Sequence, residues 1–263
     1  MQCVRMGLTF GAAEDPFDRA FVEPGAARNA INRQVATEME AAIDRLEADT
    51  DTWVGVLRAI TVGDKPTFCS GQDLKSIGSP EGNSMTARGG FGGLVTRNRS
   101  KPLIAAVDGL ATAGGCEIVL ACDMVVATTR SSFGLAEVKR SLIAGAGGLF
   151  RLPWAIGRRA AMEAILTGEP FPAERAYQLG LISRLVGPGE AEASAIALAN
   201  KICEDAPLAV WESRKVVLAS DDADEAALWN LTNVAMQKMM HSEDLQEGLK
   251  AFAEKRAPQW KGR

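Results

Sequence analysis

The sequence predicts an α/β protein, and three observations carry that prediction. Strand-like residues 103–107 and 124–127 flank an apolar helix at 116–121, the spacing of a parallel crossover unit. The first of those strands is apolar at every position, as a strand covered on both faces of a sheet must be. Beyond Gly187-Pro188-Gly189 the pattern turns wholly helical. The chain of 263 residues, 47% hydrophobic and 24% charged, is long and apolar enough to bury the core such a sheet needs.

Residues 1–24 show no clean alternation, and 11–16 read as a loop. Val35, Met39, Ile43 and Leu46 then fall at helical spacing, with Asn32 placed to cap the helix they define. Residues 53–60 read as a strand and 63–66 as a turn. Residues 78–93, rich in Gly, Ser and Asn, read as a mobile loop over a site or as a surface insertion. Two short helices follow at 160–166 and 173–179, then a last strand at 182–186. The Gly-Pro-Gly break divides a core, residues 1–190, from a helical region, residues 191–263. Helices are expected there at 191–203 and 208–218. The run Asp221–Glu225 favours the N-terminus of a third, with an apolar stripe of Leu228, Leu231, Ala235 and Met239.

Composition removes several chemistries. A net charge of −4 gives no basic face for nucleic acid. The single histidine, His241, sits in a polar break near the C-terminus and reads as a surface or cap residue. A zinc site with two histidines is thereby excluded within one chain, and acid–base work falls to carboxylates. Five cysteines without a CxxC pair read as free thiols in a reducing, cytoplasmic setting. Residues 1–9 lack the pattern of a signal peptide, and no apolar run is long enough for a membrane span.

Three constellations could carry chemistry. Gly71-Gln72 follows a short apolar strand, and Thr112-Ala113-Gly114-Gly115 opens a helix. Backbone N–H groups from two such loops can converge on one oxygen and stabilise charge developing there. Tight strand-to-helix turns also use glycine for packing alone. The third is a carboxylate pair. Glu117 lies in an apolar helix and Glu137 follows the next strand, so both can face one cleft. Equally, Glu137 can pair with Lys139 or Arg140, and Glu117 can be exposed.

These residues stand in seven blocks: Ala27-Arg28-Asn29-Ala30, residues 68–74, residues 101–109, Ala113-Gly114-Gly115-Cys116-Glu117, Phe133-Gly134-Leu135-Ala136-Glu137, residues 145–148 and residues 251–256. In that order, from about Ala27 to Arg263, the sequence resembles the enoyl-CoA hydratase/isomerase (crotonase) superfamily. The resemblance implies a crotonase-like spiral of ββα units with a C-terminal helical trimerisation region, as homotrimer or hexamer. It implies an acyl-CoA substrate, with coenzyme A part of that substrate and no separate cofactor or metal. The oxyanion donors would be the N–H groups of Gln72 and Gly114, and the catalytic acids Glu117 and Glu137. Ala27, Arg28, Gln72, Asp73, Leu74 and Lys75 would line the CoA path, with Phe252 and Lys255 reaching its adenine and phosphates.

Members specialised for isomerisation commonly keep only the second glutamate, so the pair favours hydration of a 2-enoyl-CoA. The alternatives are an isomerase or other acyl-CoA lyase of the same fold, or a catalytically silent acyl-CoA binder. Four departures stand out. Residues 19–24 match the family's opening poorly, Gln72 stands where many members have Ala, Ala136 replaces a common Pro, and Ser141 replaces a common Gly.

Overall fold

Parallel strand pairing organises the computed structural model, which describes residues 6–10, 20–22, 26–61, 65–74 and 84–263, with side chains from Arg28 onward. A six-stranded sheet runs in the order β12-β9-β7-β3-β1-β2. Its strands are β1 (Met6–Phe10), β2 (Ala20–Val22), β3 (Gly55–Ala59), β7 (Leu103–Val107), β9 (Met124–Thr128) and β12 (Arg184–Val186), all parallel to their neighbours. A four-stranded sheet has the order β11-β10-β8-β4. It holds β4 (Thr67–Cys69), β8 (Leu110–Thr112), β10 (Ser132–Gly134) and β11 (Phe171–Pro172), antiparallel only at β10–β11.

The chain alternates between the two sheets. β7 in the first is followed by β8 in the second, then by α3 (Gly114–Leu120), then by β9 beside β7. This is the expected crossover, enlarged by a strand in a second sheet. The α/β spiral of ββα units is therefore the observed fold.

Local signals explain the elements that were legible. In α2 (Arg33–Ala48) the Asn32 side chain accepts from the Val35 N–H, and Val35, Ala36, Met39, Ala42, Ile43 and Leu46 are buried. Each such side chain, taken from water, contributes about 1.5–3 kcal/mol for the larger aliphatics. β7 is buried at all five positions, between β3 and β9.

The second half carries α4 (Gly148–Ile156), α5 (Arg158–Thr167), α6 (Ala173–Gln178), α7 (Ala191–Ile202), α8 (Pro207–Ala219), α9 (Glu225–Met240) and α10 (Glu243–Glu254). Ala191, Ala195 and Ala199 of α7 pack on Val54, Val56, Ile104, Ala106 and Val126 of the six-stranded sheet. A buried ion triad joins α8 to the core: Asp123 accepts from Arg99 at 2.9 Å and from Arg214 at 2.8 Å.

Some elements depart from expectation. Residues 84–97 form a packed hairpin rather than a loose loop: β5 (Met85–Thr86) pairs with β6 (Gly90–Phe91), and Glu40 of α2 accepts from Thr86 and from the Gly89 N–H. The rest of the expected loop, 75–83, lies outside the described residues. The stripe on α9 is only half-buried, while Trp229 and Met236 beside it are exposed. Cys69, Cys116 and Cys122 are free thiols as expected, but Cys203 is disulfide-bonded, which corrects that expectation at one position. No helix among the described residues is long and apolar enough to cross a membrane.

Candidate active site

The three parallel strands β4, β8 and β10 end on the same side of the four-stranded sheet. In α/β proteins ligands gather outside such carboxyl ends. Here those ends lead directly into Ser70-Gly71-Gln72, Ala113-Gly114 and Leu135-Ala136-Glu137.

The first two loops meet. A Cβ added at Gly71, whose φ is +88°, would lie 2.9 Å from the Gly114 nitrogen. Ile31 fixes the first loop by donating to the Gly71 carbonyl at 2.7 Å and accepting from the Asp73 N–H at 2.9 Å. Those bonds flank Gln72, so its own N–H points away from Ile31. The second loop is held by the Ala113 N–H, which donates to the Gly134 carbonyl at 2.9 Å. Ala113 itself has φ +51° and ψ −130°. For a residue with a Cβ this is strained, at a cost of about 1–3 kcal/mol. It opens α3 with the Gly114 N–H in the first turn, where no helical acceptor exists. The Phe91 ring of β6 packs directly on Gly114.

Glu117 lies in α3 with only 3% of its surface exposed. Its Oε1 accepts from the Ala146 N–H at 2.7 Å and the Gly148 N–H at 2.9 Å. Burial pushes this carboxyl above its ordinary value, while the two N–H groups and the Arg151 charge pull it back. Glu137 begins a single 3-10 turn, Glu137–Arg140. Burial first, and then the nearby Glu117 charge, raise it to about 7 against a bond from its own N–H. Its Oε2 is buried with no hydrogen-bond partner. Lys139 bonds to Glu169 rather than to Glu137.

One acid anchored by two backbone donors and a second poised near neutrality can hold a water and deliver a proton. The described residues contain no group of three or more His, Cys, Asp or Glu side chains able to hold a metal.

Other expected site residues fall into three groups. Arg28, Gln72 and Asp73 are brought together, since the Arg28 carbonyl accepts from the Ser70 N–H and Ile31 bridges Gln72. Leu74 follows them and is half exposed. The Ala27 side chain and all of Lys75 lie outside the described residues. Phe252 and Lys255 stand at the end of α10, with Phe252 87% exposed. Within one chain α10 packs against α9.

Sequence reasoning did not assign roles to Ala146, Gly148, Phe91 or Arg151. The first two act through backbone N–H groups, and their only signal was the small-residue run 145–148 ahead of a helix.

The Enoyl-CoA hydratase/isomerase family model matches residues 21–263. The carnitinyl-CoA dehydratase of Proteus mirabilis is 35% identical over 241 residues, covering 89% of this chain and 91% of that protein. The mevalonyl-coenzyme A hydratase of Aspergillus fumigatus is 37% identical over 252 residues, covering 89% and 87%. Among solved structures, the enoyl-CoA hydratase of Mycobacterium tuberculosis superposes with a TM-score of 0.84 at 42% identity, covering 90% of this chain and 92% of that one. The blocks read from the sequence, the spiral that brings them to one edge and these likenesses agree: the chain belongs to the enoyl-CoA hydratase/isomerase (crotonase) family and is an enzyme of its acyl-CoA hydratase/isomerase-type chemistry.

Proposed function

We propose that the protein is an enoyl-CoA hydratase that adds water across the 2,3 double bond of a 2-enoyl-CoA thioester. The observation that carries this reading is the unequal carboxylate pair, Glu117 anchored and Glu137 near neutrality with an unpaired buried oxygen. Relatives named for adding or removing water point the same way.

The chemistry follows from the positions. The N–H groups of Gln72 and Gly114 receive the thioester oxygen and draw electron density from the conjugated system, leaving C3 electrophilic. Glu117, as carboxylate, orients a water and takes its proton as oxygen bonds to C3. The enolate so formed stays in the oxyanion hole until Glu137, protonated, gives its proton to C2. Arg28, Asp73 and Leu74, with Ala27 and Lys75, line the CoA path. Phe252 and Lys255, exposed at the end of α10, supply the adenine and phosphate contacts, from this subunit or a neighbour. The helical region 191–263 assembles a trimer, alone or doubled to a hexamer, through the apolar side chains that α9 leaves uncovered. The setting is cytoplasmic.

The deciding experiment follows the 2-enoyl absorbance of crotonyl-CoA and of longer homologues on adding protein. Hydration removes it; conversion of a 3-enoyl-CoA with no hydration would overturn the reading in favour of an isomerase. The pH dependence is a second expected result. kcat/KM declines in acid as Glu117 takes up a proton and in alkali as Glu137, raised to about 7, loses one. The two apparent values belong to the coupled pair. Both limits survive His241→Ala, because His241 caps α9 with its Nδ1 at the Gln237 carbonyl.

A further inference from the structure

Arg151 joins two walls of the site. It lies on α4, the helix whose first N–H, from Gly148, holds Glu117. Its Nη2 reaches the Val95 carbonyl at 2.6 Å, across 56 residues of sequence. Val95 belongs to the turn that follows β6, whose Phe91 ring packs on Gly114. Its Nη1 lies against Gly147, 2.8 Å from where a Cβ would stand. No carboxylate forms a salt bridge with Arg151 among the described residues, so direct pairing does not neutralise its charge. The groups that face it are Glu117 on α3, Arg99 and Cys122. Glu117 in turn lies near Glu137 on the 3-10 turn and Cys116 on its own helix.

We infer that Arg151 is a positioning residue for the hydration step: it clamps α4 to the 84–97 hairpin and holds a fixed positive charge beside Glu117. The inference rests on the reading of Glu117 as the base. A buried carboxylate loses the hydration that would keep it ionised. A cation nearby that makes no hydrogen bond to the carboxylate recovers part of that loss and leaves Oε2 open to the proposed water. The shift of Glu117, which burial raises and Arg151 opposes, agrees with this geometry.

The test is the kcat/KM–pH profile of Arg151→Met and Arg151→Lys with crotonyl-CoA, in protein whose fold is checked by circular dichroism. Without the cation the acidic limb moves to higher pH, because an opposite charge nearby favours the ionised carboxylate. Lys restores the limb. A uniform loss at every pH in the Met variant, or a folded Lys variant that leaves the limb displaced, overturns the inference. Arg151→Gln is read in the same way if the Met variant does not fold. If neither neutral variant folds, the charge is a folding requirement alone and the inference also fails. Glu117→Gln separates the two levels. Full activity in that variant sinks the reading of Glu117 itself, whereas its inactivity beside an unmoved Arg151→Met limb sinks only the role of Arg151.

Discussion

Glu117→Gln and Glu137→Gln each lower kcat for hydration by about 10²–10⁴-fold, the range a positioned proton-transfer group supplies. Binding of the 3-hydroxyacyl-CoA product, measured by calorimetry, stays near that of the unaltered protein. An amide in place of Glu117 still fits the Ala146 and Gly148 N–H groups through its oxygen, so the loop 144–148 keeps its shape. What is lost is the capacity to take a proton from water. At Glu137 the amide cannot give the proton that C2 requires. The double variant falls well short of the product of the two single effects, because the two groups act as a unit in one reaction. Loss of product binding in either single variant would instead mark that glutamate as structural.

Gly71→Ala is expected to cost about 10²–10³-fold in kcat, the loss seen when an oxyanion donor is removed. The new methyl would stand 2.9 Å from the Gly114 nitrogen, 3.1 Å from the Ala113 Cβ and 3.3 Å from the Thr112 carbonyl oxygen. It would crowd the Gly114 N–H, one of the two donors proposed for the thioester oxygen. The φ of +88° adds a backbone penalty of about 1–2 kcal/mol. Gly157→Ala serves as a control for a positive φ without a clash, because Gly157 has a φ of +80° with nothing within 4 Å of its added Cβ. A larger thermal destabilisation in Gly71→Ala than in Gly157→Ala, with the catalytic loss confined to Gly71→Ala, is the expected pattern. An active Gly71→Ala enzyme would remove the Gly71–Gly114 junction from the mechanism.

The parts that were legible in the sequence are those whose side chains repeat. Val35, Met39, Ile43 and Leu46 mark α2 because one helix face must be apolar to bury it, and β7 is marked by five apolar residues in a row. Strands β8, β10 and β11 were not legible. Two or three residues cannot display a period, and what makes them strands is pairing with partners distant in sequence. Helix α4 was hidden by Pro153, which deletes one bond of the ladder, and by the glycines before it.

The site divides likewise. Glu117 stood out as a carboxylate in an apolar helix, while Glu137, and the acid–base role of both, came from the family resemblance. The groups that tune them are backbone N–H groups at Ala146 and Gly148, whose side chains say nothing of that role. Ser141 shows the limit from the other side. It takes a φ of +56°, a conformation glycine adopts without steric cost, in keeping with the glycine that the family resemblance implies there.

The unpaired oxygen of Glu137 has a consequence for the stability of the whole molecule. An acid raised from about 4.5 to about 7 on folding binds a proton more tightly in the native chain than in the unfolded one. Between those two values the native state carries the extra proton, so stability falls as pH rises across that window and levels off above it. Thermal unfolding recorded from pH 4.5 to 8 should show this slope, and Glu137→Gln should flatten it. A slope unchanged by the substitution would place the proton elsewhere. The acid proposed for the reaction thus makes folding itself a protonation event, and the protein is least robust where Glu137 is discharged.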